Sequence, residues 1–365
     1  MGWGATERNR APSLAILTVA LMRLWWGQKC ADNAGVLQIL SVTFPFFALV
    51  LCGFVAARRG ALPLAAIPGL NGFVLFFALP CMLYRFGAST PIAQLLDPAI
   101  ALTYLLCALF MVALVVALTR RGRMGWNDAA FGALVGAFPN SGFMGVPLLV
   151  ALLGPAAAGP VIVTILVDMV LTTSLCIALS RLGGAGLGAG EGAEGVSSAR
   201  QAAANALKGV ATNPMPWAIL LGALVSALGL QFPQPLVQTV GLLADAASPV
   251  ALFTIGAVLA RSHMLAQVDV AHHVPWQDYV PVAAIKLLVH PVLVLLVGSA
   301  AMRMGVAIDH FSLTALVLLA ALPSASNVSL LAERYGADNG RIARIILAST
   351  VVSFLTFSAA VAWMR

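Results

Sequence analysis

Between residues 36 and 363 the chain is a succession of apolar runs about twenty residues long, set apart by short connections that hold most of the Lys and Arg. A helix of that length crosses the hydrocarbon core of a bilayer. Lipid offers backbone groups no partners, so a helix, which satisfies them internally, is the form such runs take. With 61% hydrophobic and 9% charged residues, against roughly a quarter charged in soluble domains, a water-soluble fold is excluded. The 33 Gly and 20 Pro follow no G-x-y period, which removes a fibrous chain. The cysteines at 30, 52, 81, 107 and 176 lack C-x-x-C spacing, so they read as packing residues and not as a disulfide framework or zinc ribbon.

Turn signals and charges cut the chain into ten predicted helices, 36–57, 66–88, 98–119, 126–153, 156–180, 214–230, 235–260, 278–302, 311–333 and 340–363. Cations in short loops mark the cytoplasmic side. Arg58, Arg59, Arg120, Arg121, Arg123, Arg181, Arg200, Lys208, Arg261, Arg334, Arg341 and Arg344 follow odd-numbered helices, whereas the opposite loops hold Arg303 and, at a helix end, Arg85. Both ends of the ten-helix unit are therefore expected outside. The net charge of +7 is scattered along the chain, so no nucleic-acid face is expected.

Residues 1–34 precede this unit as an extension with Arg8, Arg10, Arg23 and Lys29 around an apolar stretch from Ala11 to Met22. A signal-like segment, an additional short helix and a start codon placed too early are all compatible with it. Residues 182–213, opening LGGAGLGAGEGAEG, have linker composition and divide the unit into 35–181 and 214–365. No strand precedes that glycine-rich stretch and no G-K-[ST] follows, so it is not a phosphate cradle.

The two halves share landmarks. Pro45 and Gly53 recur as Pro214 and Gly222, and Pro80, Leu83 and Gly87 as Pro249, Leu252 and Gly256, always offset by 169; Ala137 and Pro139 recur as Ala321 and Pro323, offset by 184. Five helices per half put the second half into the membrane from the opposite side. The expected fold is an all-α polytopic membrane protein of two inverted five-helix repeats, with broken crossover helices four and nine. Inverted repeats with matching proline breaks point to a secondary transporter.

Helix four carries Pro139, Asn140, Ser141 and Gly142, and helix nine Pro323, Ser324, Ser326 and Asn327. Proline removes a donor, and Gly and Ser permit unwinding. Freed backbone cannot face lipid, so the breaks are expected to line a cavity; a pair of simple kinks is the plainer alternative. Two half-helix N-termini at mid-membrane attract an anion. Lys286 in helix eight would add positive potential, unless it snorkels to the interface. Intramembrane charge is costly, which makes Asp168, Asp245 and His290 coupling candidates; His290 before Pro291 can also serve a neighbouring carbonyl. An intramembrane aspartyl protease lacks its G-x-G-D context here, and H-E-x-x-H is missing, so an embedded enzyme is disfavoured. His263, His272 and His273 lack a ligand set, and no metal or cofactor is expected.

AFPNSGFMGVPLL at 137–149, SPVALFTIGAVLA at 248–260, KLLVHP at 286–291, ALPSASNVSLLAERYG at 321–336 and STVVS at 349–353 resemble the auxin efflux carrier family in its bacterial branch. The resemblance runs from about residue 35 to the end. It implies a fold related to bile-acid and sodium/proton transporters, with a scaffold bundle, a transport bundle and crossovers at Pro139–Asn140 and at Pro323. Relatives assigned to malonate and other small dicarboxylates suggest a small organic anion as substrate. Plant members share the P-N-[ST]-x-x-M-G pattern seen at 139–145 but differ from Ser324 to Asn327, so auxin itself is not implied. The expected setting is the bacterial cytoplasmic membrane, and the expected partners are the anion, H+ or Na+ as coupling ion, the lipid bilayer and a second copy of the chain in a homodimer.

Overall fold

The computed structural model describes residues 41–89, 97–121, 124–183, 214–268 and 274–364. Helices follow one another in the order α1 (Ser41–Arg58), α2 (Leu64–Ser89), α3 (Pro98–Arg121), α4 (Trp126–Ala137), α5 (Ser141–Leu153), α6 (Pro155–Ser180), α7 (Pro214–Leu228), α8 (Gln234–Val268), α9 (Trp276–Arg303), α10 (His310–Ala320), α11 (Asn327–Arg334) and α12 (Asn339–Met364). Seven of these, α1, α2, α3, α6, α8, α9 and α12, are long and apolar enough to cross a membrane. Among the described residues there is no strand, only a bridge between Pro139 and Ser324. The molecule is an all-helical polytopic membrane protein. The extension 1–34, all but the first two residues of the linker, and His272 and His273 lie outside the described residues.

The expected start of the first helix at residue 36 lies outside the described residues; the other helix ends fall within two residues of the expected ones, with one departure: α8 runs on past Arg261 to Val268. The expected helices four and nine are each divided, into α4 and α5 and into α10 and α11. α4 is buried from Ala129 to Ala137, and α10 from Ala315 to Ala320. Their small and aliphatic side chains let neighbours close in on every side, so the divided helices occupy the interior. The outside is apolar instead: Phe44, Phe76, Leu106, Leu242, Leu355 and Trp363 are all more than half exposed, as lipid-facing residues are.

α2 packs along α7 and α8, while α3, α4, α6, α9 and α10 pack on one another. Two crossings, of α1 with α8 and of α2 with α7, bring backbone onto backbone. A Cβ at Gly53 of α1 would run into the Phe253 carbonyl of α8, and one at Gly256 into the Val50 carbonyl of α1. Likewise a Cβ at Gly87 of α2 would meet the Ile219 carbonyl of α7, and one at Gly222 the Tyr84 carbonyl of α2. Close approach at small residues is how membrane helices gain contact without a hydrophobic drive between them. Single π-turns, which recur at functional sites, interrupt α2 at Val74–Ala78, α6 at Asp168–Thr172 and α9 at Ile285–Val289, and one opens α5 at Ser141–Gly145.

Candidate substrate site at the crossing breaks

α4 stops where Pro139 withdraws a donor, and Phe138 before it turns extended, with φ −86° and ψ 108°. α10 stops at Ala320, and Pro323 lies in the irregular stretch that follows. The two extended pieces meet antiparallel. Asn140 N donates to Pro323 O at 2.8 Å, and Ala325 N donates to Phe138 O at 2.9 Å. Ser349 of α12 supports the join by accepting at Oγ from Ser324 N at 3.2 Å. Backbone freed by the breaks thus finds partners inside the protein, as a membrane interior requires.

From this join α5 and α11 start, so two helix N-termini, each with unsatisfied N–H groups, arise at one place. A cavity of about 20 Å³ opens there, lined by residues from Phe138 to Phe143, by Ala325 and Asn327, and by Leu79 of α2. Asn140 and Ser141 are buried, whereas Ser326 and Asn327 are partly exposed. The side-chain amides of Asn140 and Asn327 make no hydrogen bond among the described residues. Ser324 Oγ is buried and likewise unpartnered. Of the expected site residues, the structure brings together Pro139, Asn140, Ser141, Gly142, Pro323, Ser324, Ser326 and Asn327. It holds the other four apart.

Lys286 does not snorkel; it is fully buried. Its Nζ donates to Ala320 O at 2.8 Å, the last residue of α10, and stands 3.0 Å from His290 Nδ1. The cation therefore sits at the negative end of the α10 dipole, and not on the lining of the cavity. Which of Lys286 Nζ and His290 Nδ1 donates to the other depends on the imidazole tautomer. His290 Nε2 is buried without a partner. Asp168, buried as well, accepts from Tyr104 OH at 2.7 Å and from Thr172 Oγ1 at 3.0 Å. The Tyr104 ring lies 6.1 Å from that of His290, centroid to centroid, which joins the two pairs into one polar cluster. Asp245 belongs to neither: its Oδ1 is 2.7 Å from Arg85 Nη1, in an ion pair on α8 and α2 whose side chains are 68% and 44% exposed. A wide concavity, about 940 Å³, opens beside this pair between α2, α7 and α8 and has mainly apolar walls. No crossover residue lines it.

A second polar region lies at the corner between α11 and α12. Asp128 at the start of α4 accepts at Oδ1 from Asp338 N at 2.8 Å, and its carbonyl accepts from Arg341 Nη1 at 2.9 Å. Arg341 Nε donates to Asp278 O at 2.8 Å, Arg344 to Val274 O at 2.7 Å, and Asn127 to Tyr335 O at 3.0 Å. Arg341, only 2% exposed, ties α12 to both α4 and α9. Loop cations read as topology markers thus do structural work as well. Tyr104, Ser349 and the partner of Lys286 were not foreseen; a Tyr inside an otherwise aliphatic run was the visible sign for the first. Cys107 and Cys176 are buried packing residues as expected, and Cys52 and Cys81 are free thiols.

A family model described as "Membrane transport protein" matches residues 39–361. A Rhizobium meliloti (strain 1021) protein named "Putative malonate transporter" is 29% identical over 87% of this chain and 93% of its own length. An Escherichia coli (strain K12) protein named "Uncharacterized transporter YfdV" is 26% identical over 86% of this chain and 92% of its own. These names describe transporters and no enzyme. The broken, backbone-paired helices and the match across nearly the whole helical unit agree, and the chain belongs to the membrane transport protein family, the auxin efflux carrier group that its motifs resemble.

Proposed function

We propose that the chain is a secondary transporter for a small organic anion, a mono- or dicarboxylate such as malonate, and that it works by alternating access around the paired breaks. The observation that carries this reading is the join itself: two helix N-termini start from one buried point, flanked by the unspent amides of Asn140 and Asn327. Fixed donors of this kind suit a carboxylate, because charge-assisted bonds are stronger than neutral ones. The relative named for malonate supports the substrate class. In the conformation described, the cavity of about 20 Å³ has room for about one water, so a substrate must be admitted by movement of the surrounding helices, as alternating access requires.

On this reading α4 with α5, and α10 with α11, each form one crossing, and ten crossings make two inverted repeats. The glycine contacts support it: Gly53 against α8 becomes Gly222 against α2 when both partners are exchanged through the offset of 169, since Gly87 stands to Gly256 as Gly53 stands to Gly222. The cation bias then places residues 182–213 in the cytoplasm of a bacterium and both ends of the unit outside. Lys286 acts by offsetting the negative end of α10 and so keeping the break open. Asp168, held by Tyr104 and Thr172, is the coupling residue for H+ or Na+.

Counterflow in proteoliposomes tests the reading. Vesicles preloaded with malonate should accumulate labelled malonate, and Asn140→Ala and Asn327→Ala should raise the half-saturating concentration. Absence of counterflow with malonate, succinate, propionate and lactate alike would overturn it. Repeating the assay with a sodium or a pH gradient identifies the coupling ion, and Asp168→Asn should abolish that dependence. An impermeant maleimide on intact cells should leave a single cysteine at position 197 unlabelled and react near Gly154 and Gln234.

A further inference from the structure

Beside the crossover cavity lies a second one of about 30 Å³, walled by α2, α8 and the start of α11. Its polar residues are Asn71, Thr254, Ser326, Asn327 and Ser329. The hydroxyl protons of two of these are spent, Thr254 on Val250 O at 2.7 Å and Ser329 on Asn339 Oδ1 at 2.6 Å. Asn71, Ser326 and Asn327 make no side-chain hydrogen bond among the described residues, so three donors from two separate elements converge on the space unspent. Asn327 and Phe143 line this cavity and the crossover cavity alike. The two spaces therefore share a wall, and neither is lined by an acidic residue.

We propose that this cavity is a second carboxylate subsite, so that the transported anion is a dicarboxylate with one carboxylate among Asn140 and the crossover N-termini and the other between Asn71 and Ser326, with Asn327 reaching both. The inference rests on the reading of the chain as an organic-anion carrier. Two adjoining donor sets select for two acceptor groups a few bonds apart: Asn71 is partly exposed, and its amide gains from a second carboxylate a charge-assisted bond that a monocarboxylate held at the crossover does not offer. Asn71 stands on α2, and Asn140 and Asn327 stand at the breaks. A dicarboxylate would thus link the α2–α8 wall to the crossover, which a monocarboxylate held at the crossover alone cannot do.

Inhibition of malonate counterflow by malonate and by propionate, measured in the wild type, Asn71→Ala, Asn71→Gln and Asn140→Ala, tests the subsite. The wild type should prefer malonate. Asn71→Ala should weaken malonate roughly tenfold, the scale of one charge-assisted bond, and leave propionate unchanged; Asn71→Gln, which keeps an amide, should recover part of the loss. Asn140→Ala should weaken both anions. Equal effects of Asn71→Ala on both anions, or none on either, would overturn the subsite and leave the carrier reading standing. A wild type inhibited by propionate as strongly as by malonate would do the same. A wild type with no carboxylate counterflow removes both. Detergent melting curves of the Asn71 variants should match the wild type, because the side chain holds no hydrogen-bond partner among the described residues.

Discussion

The crossover and the α11–α12 corner lie at the two ends of one short helix, α11; both are polar, the crossover largely buried and the corner half-buried around the buried Arg341, yet they use polarity in opposite ways. At the corner the guanidinium of Arg341 ends on two carbonyls, and Asp128, Asp338, Asn127 and Arg344 are engaged in turn. At the crossover the bonds are made by backbone groups and by the hydroxyls of Ser141 and Ser349, and the amides of Asn140 and Asn327 are held in reserve. A buried polar group with its hydrogen bonds made holds elements together; one with its bonds unmade can take a ligand. Polarity alone does not separate the two, and the count of unmade bonds does.

The contrast breaks first, and hardest, at the corner. Arg341→Leu removes two bonds from a buried charged donor to partly buried carbonyls, at about 1.5 to 3 kcal/mol each, and should lower the melting temperature in detergent markedly while the protein that remains folded keeps its substrate affinity. Unchanged melting would mean that the corner holds nothing. Lys286→Met tests the cluster between the two regions. It leaves Ala320 O without its donor and takes the cation from the end of α10, so a loss of about 2 kcal/mol in stability is expected from the bond and the dipole together, with transport slowed as well. At the crossover the pattern should reverse: Asn140→Ala and Asn327→Ala should melt as the wild type does and bind substrate roughly ten- to a hundredfold more weakly, as loss of a bond of about 1.5 to 3 kcal/mol implies. Titration calorimetry giving wild-type affinity for both would move the site elsewhere.

The smallest effect belongs to Asp309, which caps α10 by accepting from Ser312 N at 2.9 Å. That bonding to Ser312 holds its carboxyl below the usual carboxylate range. A depressed carboxylate contributes its stability above the unfolded pKa and loses it as pH falls through the folded one. Asp309→Ala should therefore cost about 1 kcal/mol at neutral pH and nothing in strong acid, readable as melting curves that converge as pH drops.

Much of this was legible because it is local. Proline, glycine and asparagine act on the backbone where they stand, so the clusters at 139–142 and 323–327 announced the breaks, and apolar run length announced the spans. What could not be read depends on where distant ends fall. Lys286 was visible as an intramembrane cation, but its acceptor is the carbonyl of Ala320, which becomes free only because α10 stops there. Asp245 looked like a mid-membrane carboxylate until Arg85, 160 residues away, was seen beside it. Asn71 is one polar residue in a long apolar helix, and only the packing of α2 against α8 and α11 shows what it faces.

The bridge between Pro139 and Ser324 carries one consequence of its own. Its two hydrogen bonds are shared property: Phe138 O and Asn140 N belong to one break, Pro323 O and Ala325 N to the other. If either segment rewound into continuous helix, it would strand the opposite segment's donor and acceptor in a dry interior. Neither break can heal by itself, and each is the other's guarantor. The pair behaves as a single mechanical part with two handles, and a pull on one is felt at once by the other.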